Sequence, residues 1–139
     1  MRLGLALSAA LAIALAGCAG DDSPRGDTVQ ADPASAPITR SAAEACLEAA
    51  GATLGELRAS DARLRSLRDL AQGRSIEVRA EIGVVYLAFA RDVARAELLA
   101  ELLEVPGGPY KVQRTANVVV LYRPEASELL GTVSGCLVG

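Results

Sequence analysis

The sequence predicts a small α+β domain, in which a mainly antiparallel sheet packs with about four helices, after an apolar N-terminal segment and a linker. Apolar residues recur at helical spacing in some segments and alternate or run continuously in others, and Gly and Pro separate these segments. The predicted order is helix, helix, strand or hairpin, helix, hairpin, helix. The simplest arrangement of such elements places the helices on one face of the sheet.

The first 17 residues have the three parts of a secretory signal peptide. Met1 and Arg2 form a short positive start, residues 3–15 are almost wholly apolar, and small residues follow at 16 and 17. A membrane-spanning helix needs about 20 apolar residues, and Asp21 and Asp22 end this run too early. The pattern therefore predicts an export signal over residues 1–17.

The segment Leu15-Ala16-Gly17-Cys18 resembles the lipobox of bacterial lipoproteins at every position. This resemblance covers residues 1–18 and implies cleavage before Cys18, whose thiol would carry diacylglycerol with fatty acyl chains such as palmitate. Two or three acyl chains hold a protein stably on a bilayer. The implied location is the extracytoplasmic face of the cell membrane, with membrane lipid as the partner of Cys18. An ordinary signal peptide cut after Ala19 is the alternative.

Residues 18–40 are interpreted as the lipidated cysteine followed by a disordered linker, and residues 41–139 as a single α+β domain. The linker is rich in Asp, Ser, Pro and Gly and has no hydrophobic period, so it cannot bury enough apolar surface to order itself. The domain has no recognisable internal repeat. Its start is predicted at a capping box, in which Ser41 and Glu44 satisfy free amides of the first helix.

The first helix is expected to carry Ala43, Cys46 and Leu47 inward and to end at Gly51. Residues 52–59 are compatible with either a short strand or a loop. A second helix is predicted over residues 61–72, with Ser60 as its N-cap and Leu64, Leu67 and Ala71 facing the core.

From residue 76 onward, apolar residues occur at every second position. Ile76, Val78, Ala80 and Ile82 alternate with Glu77, Arg79 and Glu81. This predicts a half-buried strand whose charged face points to water. Residues 84–89 form a more continuous apolar strand, and Gly83 between the two predicts a bulge or a tight bend.

Asp92 is a suitable N-cap for a third helix that runs to about Glu104, with Leu99, Leu102 and Leu103 among its apolar residues. Residues 110–114 and 118–122 are predicted to form a hairpin that turns near 116–117. Pro124 suits the first turn of a last helix. The inner stripe of that helix contains Ala126, Leu129, Leu130, Val133 and Leu137.

Two cysteines remain once Cys18 is assigned to the lipid. Cys46 and Cys136 lie on the apolar sides of the first and last helices, and an oxidising compartment favours their pairing. The alternatives are two buried free thiols or a catalytic dithiol, although the chain has no Cys-x-x-Cys motif. A Cys46–Cys136 disulfide would require the first and last helices to be neighbours.

The residue composition excludes several classes of catalytic, metal and nucleic-acid-binding site. The chain contains no histidine, which removes histidine-dependent catalytic triads and histidine-ligated metal sites. The net charge of −3 gives no basic footprint for nucleic acid. No catalytic residue, metal ligand or cofactor is therefore assigned. The candidate binding surface consists of two tyrosines of the last hairpin and three arginines of the second helix: Tyr110, Tyr122, Arg63, Arg65 and Arg68.

The last strand, Asn117-Val-Val-Val-Leu-Tyr122, followed by a helix ending near Cys136, resembles small uncharacterised α+β domains on exported proteins of high-GC Gram-positive bacteria. That resemblance implies no activity. We expect a lipid-anchored, non-enzymatic binding module of the cell envelope, whose partner is an envelope protein or polymer. The alternatives are a carboxylate-dependent envelope enzyme and a passive structural lipoprotein. A cleft gathering carboxylates would favour the enzyme, and an exposed apolar patch would favour the binder.

Overall fold

A computed structural model describes residues 36–138, which contain four α-helices and five strands. Cys18, the predicted signal segment 1–17 and most of the predicted linker lie outside the described residues. In chain order, the elements are α1 (Arg40–Ala49), β1 (Thr53–Glu56), α2 (Ala62–Leu70), β2 (Ser75–Ala80), β3 (Gly83–Phe89), α3 (Val93–Leu103), β4 (Lys111–Thr115), β5 (Val118–Tyr122), a 3-10 turn (Pro124–Ala126) and α4 (Ser127–Leu137).

The five strands form one sheet in the order β1-β2-β3-β5-β4, and every neighbouring pair is antiparallel. The predicted α+β class is therefore confirmed, and the ambiguous segment 52–59 contains an edge strand. Leu87 of β3 lies opposite Ile76 of β2 and opposite Val120 of β5, so the apolar residues of three strands share one face.

The helices lie on both faces of the sheet, so the expected arrangement on one face is wrong. Helices α1 and α4 pack against one face and α2 and α3 against the other. The central strands β3 and β5 are therefore covered twice. Leu87 and Val120 belong to the first core, while Ala88 and Val119 belong to the second. Strands buried on both faces have nearly continuous apolar sequences, and residues 84–89 and 118–121 show that signal.

The helix caps agree with the predictions at one position and differ at two. The Asp92 carboxylate accepts a hydrogen bond from the Arg95 amide, as predicted. Asp61, not Ser60, caps α2, because its Oδ1 accepts from the amides of Arg63 and Leu64 at 2.9 Å each. Helix α1 begins one residue before Ser41 and is capped by Thr39, so the capping-box prediction is wrong.

One residue of the predicted solvated strand face is buried. Arg79 and Glu81 are exposed as predicted, but Glu77 is only 6% exposed. The segment after β1 passes over this carboxylate, which accepts a hydrogen bond from the Arg58 amide at 3.4 Å and pairs with Arg79. Ile82, expected inward, is 43% exposed, because β2 ends at Ala80 and a tight turn follows.

Gly83 makes that turn possible. Its φ of +140° lies in a region that other residues rarely adopt. A Cβ at this position would lie 2.9 Å from the Cβ of Ala126, so the start of the last helical segment approaches the backbone of the hairpin closely. The predicted tight bend at Gly83 is confirmed.

Asn117 ties the chain before α1 to the sheet. Its side chain is 2% exposed, accepts from the Ile38 amide at 2.6 Å, and donates to the Ile38 carbonyl at 3.1 Å and to the Ala90 carbonyl at 3.0 Å. Ile38 also packs against the core under α1 and α4. The folded domain therefore includes residues 38–40, which the sequence assigned to the linker.

The predicted disulfide joins α1 to α4, with a Cα–Cα distance of 5.6 Å between Cys46 and Cys136. The prediction of paired cysteines is confirmed, but their depth is different from that expected. Cys46 is exposed and Cys136 is half-buried, so the bridge lies at the rim of the helix interface and Ala43 and Leu47 form the inner stripe of α1. Both cores and the disulfide are contained within residues 36–138.

Candidate functional site

An open groove lies between the C-terminal end of α2 and the side of α3, with a volume of about 420 Å³. We call it the α2/α3 groove. Its floor contains small and aromatic residues, including Ala71, Ala90 and Phe89. Its rims carry three leucines and three arginines: Leu70, Leu98, Leu102, Arg74, Arg91 and Arg95.

Helix α3 is apolar over a wider arc than its core contact requires. Ala96, Leu99 and Leu103 are buried against the sheet. Leu98 and Leu102, four residues apart and therefore one above the other on the helix, are 55% and 58% exposed. Across the groove, Leu70 at the end of α2 is 46% exposed. The groove therefore presents large apolar side chains from two helices to solvent.

The arginines lie where three elements meet. Arg74 immediately precedes β2 and its carbonyl accepts from the Phe89 amide at 2.9 Å, which brings the start of β2 beside the end of β3. Arg91 follows β3, and Arg95 is in the first turn of α3. Within residues 36–138, none of the three has a carboxylate within 4.0 Å. Among the described residues, the positive charge of the three arginines is therefore not neutralised by an ion pair.

A second polar feature lies on the same sheet face. The Tyr110 hydroxyl donates to Asp61 Oδ2 at 2.7 Å, while Asp61 Oδ1 caps α2. The Arg123 guanidinium lies 5.0 Å from the centre of the Tyr110 ring. The Tyr86 and Tyr110 rings pack edge to face, with 6.2 Å between their centres. These contacts hold the start of α2 and the segment before it against the sheet.

The pKa values of this pair reflect their mutual hydrogen bond. Burial raises the pKa of the Asp61 carboxyl, but the hydrogen bonds from Tyr110, Leu64 and Arg63 outweigh burial and leave that pKa below 3.8. Burial, followed by the hydrogen bond to Asp61, raises the pKa of Tyr110 to about 12. Near neutral pH, Asp61 is therefore an ionised acceptor and Tyr110 a neutral donor. This arrangement suits positioning rather than proton transfer.

The sequence-predicted surface residues do not form one surface. Tyr110 and Arg63 line the same shallow cleft, of about 510 Å³. Arg65 and Arg68 are exposed elsewhere on α2, and Arg68 pairs with Asp69 at 3.1 Å. Tyr122 packs against the core on the opposite face of the sheet. The structure thus brings together two of the five residues.

The α2/α3 groove was missed by sequence reasoning, which placed Leu102 with the apolar residues of α3 and did not consider Leu98. A signal was present, because Leu98, Leu99, Leu102 and Leu103 form two adjacent pairs. Adjacent residues are about 100° apart on a helix, so two such pairs span more than one core stripe.

Within the part of the chain that the structure describes, no three His, Cys, Asp or Glu side chains are grouped as metal ligands. Helices in residues 36–138 are too short or too polar to cross a bilayer. Comparison of the chain with models of protein families, with curated proteins and with solved structures finds no match.

Proposed function

We propose that this protein is a lipid-anchored protein of the extracytoplasmic face of the cell membrane, and that its folded domain is a binding module. The anchor is supported by Leu15-Ala16-Gly17-Cys18, in which every position fits a lipobox. The Cys46–Cys136 disulfide also supports export, because such bonds persist in oxidising compartments.

The observation that carries the binding function is the exposure of Leu70, Leu98 and Leu102 around one groove. Contiguous exposed apolar surface with polar residues at its edge marks interaction sites in soluble domains. The leucines add little to the stability of the isolated domain, since about half of each side chain stays in water. An external partner that buries these leucines would explain why they are exposed together on two facing helices.

A carboxylate-dependent enzyme is the less favoured alternative. The buried Glu77 and the half-buried Asp61 are both engaged: Glu77 with Arg79 and the Arg58 amide, and Asp61 with Tyr110 and two backbone amides. The hydrogen bonds that lower the pKa of the Asp61 carboxyl also make it a poor general acid. Both groups therefore act as structural acceptors in this proposal.

The anchor is tested by metabolic labelling with a fatty-acid analogue and by replacing Cys18 with Ser. We expect the unsubstituted protein to carry label and to sediment with membranes, and the Cys18→Ser protein to lose both properties. A Cys46→Ser/Cys136→Ser protein is the control for general effects of cysteine removal and should retain the label. Full labelling of the Cys18→Ser protein would contradict the anchor.

The binding surface is tested in cells with a photo-crosslinking amino acid at Leu98, and at Glu97 as the matched control. Both positions are exposed on α3, but only Leu98 lines the groove. We expect a discrete crosslinked product, lipid or protein, from position 98 alone. The same products from both positions, or none from either, would contradict a binding role for the groove.

A further inference from the structure

We propose that the α2/α3 groove docks on a bilayer that contains anionic lipids, so that the domain lies on the membrane surface instead of projecting from it. This inference rests on the proposed binding function and names its partner. Leu70, Leu98 and Leu102 would enter the headgroup region, and Arg74, Arg91 and Arg95 would contact lipid phosphates.

The leucines have the placement of membrane-inserting residues. They lie at the rims of the groove, with Leu98 and Leu102 on the outer side of α3, whereas the floor contains the less exposed Ala71, Phe89 and Ala90. Surface segments that bind bilayers bury such apolar side chains at the boundary between headgroups and acyl chains.

The arginines supply the charge that an anionic bilayer requires. Arg74, Arg91 and Arg95 have no carboxylate within 4.0 Å among the described residues. Guanidinium groups bind phosphate oxygens through paired hydrogen bonds, and each basic residue at an anionic surface strengthens binding about fivefold.

The segment that leads from Cys18 enters the folded domain close to the groove, and in this proposal that position turns the groove toward the membrane. Asn117 connects Ile38 directly to Ala90 in the groove floor. Arg40 Nη1 also donates to the Gly73 carbonyl at 3.5 Å, one residue before Arg74. The chain therefore joins the domain beside the arginines of the groove.

That attachment gives the groove a high effective concentration of lipid. Roughly 20 residues separate Cys18 from Ile38 in the sequence. An acylated Cys18 would thus hold the arginine end of the groove within reach of the headgroups. Weak lipid contacts become effective when a tether has already removed most of the cost of association.

The test uses the chain from Ala19 onward, which carries no acyl group and retains both cores and the disulfide. Its sedimentation is measured with vesicles of phosphatidylcholine alone and of phosphatidylcholine mixed with phosphatidylglycerol. We expect binding to the anionic vesicles that is at least about tenfold tighter and that weakens with added salt. Unchanged melting curves show that each variant is folded.

Two pairs of matched variants assign the binding to the groove. Leu98→Ser/Leu102→Ser should weaken binding to anionic vesicles by about tenfold or more, whereas Ile82→Ser, an exposed apolar residue outside the groove, should not. Arg91→Gln should weaken it about fivefold and lower its salt dependence. Arg114→Gln, at an exposed position of β4 outside the groove, should leave it unchanged.

Absence of vesicle binding, equal binding to neutral vesicles, or equal loss in the groove and control variants would overturn this inference. If vesicles fail but the probe at position 98 captures a discrete protein in cells, the binding module stands and the lipid partner is wrong. If vesicle binding succeeds but Cys18 carries no fatty acid, the groove assignment stands and the anchor is wrong. The two proposals therefore fail separately.

Discussion

The two faces of the sheet are built from similar aliphatic residues but are closed to different degrees. On one face, α1 and α4 are joined covalently by Cys46–Cys136. On the other, α2 and α3 contact each other without a covalent link and leave an open groove with Leu98 and Leu102 at its rim.

This difference indicates a division of roles within one small domain. The face under α1 and α4 also receives Ile38 and Leu137, so it concentrates the contacts that stabilise the fold. The face under α2 and α3 has a complete core and a surplus of apolar surface. Substitutions on the first face should therefore change stability, and substitutions around the groove should change binding.

The largest effect is expected from removing the disulfide. Opening a loop with a sequence separation of 90 residues by Cys46→Ser/Cys136→Ser should lower the free energy of unfolding by about 4 kcal/mol, because the unfolded chain gains entropy. Urea denaturation of the oxidised and substituted proteins measures this. The reduced unsubstituted protein should match the variant. A loss below about 1 kcal/mol would contradict the role of the bridge in closing this face.

A smaller loss is expected at Asn117. Asn117→Ala removes partners from the Ile38 amide and from the Ile38 and Ala90 carbonyls, and should cost about 2–3 kcal/mol in the free energy of unfolding. A chain beginning at Ser41 should be destabilised in the same direction, whereas one beginning at Ala36 should match the longer protein. Equal melting temperatures for the two truncated chains would show that Ile38 is not part of the domain.

The Tyr110–Asp61 hydrogen bond should give a loss that depends on pH. Tyr110→Phe should cost about 2 kcal/mol near pH 7, because the bond has an ionised acceptor. The lowered pKa of Asp61 means that its contribution is present above pH 3.8 and is lost as pH falls below it. The pKa of Tyr110, raised from 10.0 to about 12, means that its contribution is present below pH 10 and is lost between pH 10 and 12.

The difference in unfolding free energy between the unsubstituted protein and Tyr110→Phe should therefore be largest between about pH 4 and pH 10, and should shrink outside that window. Tyr122→Phe is the control, because its hydroxyl makes no hydrogen bond to another residue of 36–138. A difference that does not change with pH would assign the loss to packing alone.

The smallest effect on stability is expected at the groove. Leu98→Ser and Leu102→Ser should each change the free energy of unfolding by less than about 0.5 kcal/mol, because both side chains are already largely in water. Leu99→Ser, whose side chain is buried between them, should cost more than about 2 kcal/mol. Chemical denaturation of the three variants makes the comparison. Similar losses at all three positions would show that the leucines of the rim serve the fold.

The helices, the strands and several caps and turns could be predicted from the pattern of residues close together in the sequence. Periodicity predicted the helices and strands, because the geometry of each element sets the spacing of its buried residues. Asp92, Gly83 and Pro124 act on their immediate chain neighbours and were placed correctly. The Cys46–Cys136 pair was predicted from two helical stripes and an assumed compartment, and required only that the first and last helices meet.

The α+β class is thus a feature that the sequence determines by itself, because it depends on residues a few positions apart, and the proposed lipobox at 15–18 rests on the same kind of local pattern. Tertiary structure decided the rest. Glu77 looked solvated until a loop covered it, and Tyr110 and Tyr122 looked like one surface until the sheet placed them on opposite faces. Whether an apolar residue such as Leu98 is core or surface depends on what packs above it. The residues that would cover it are distant in the sequence, so they cannot be predicted from local periodicity.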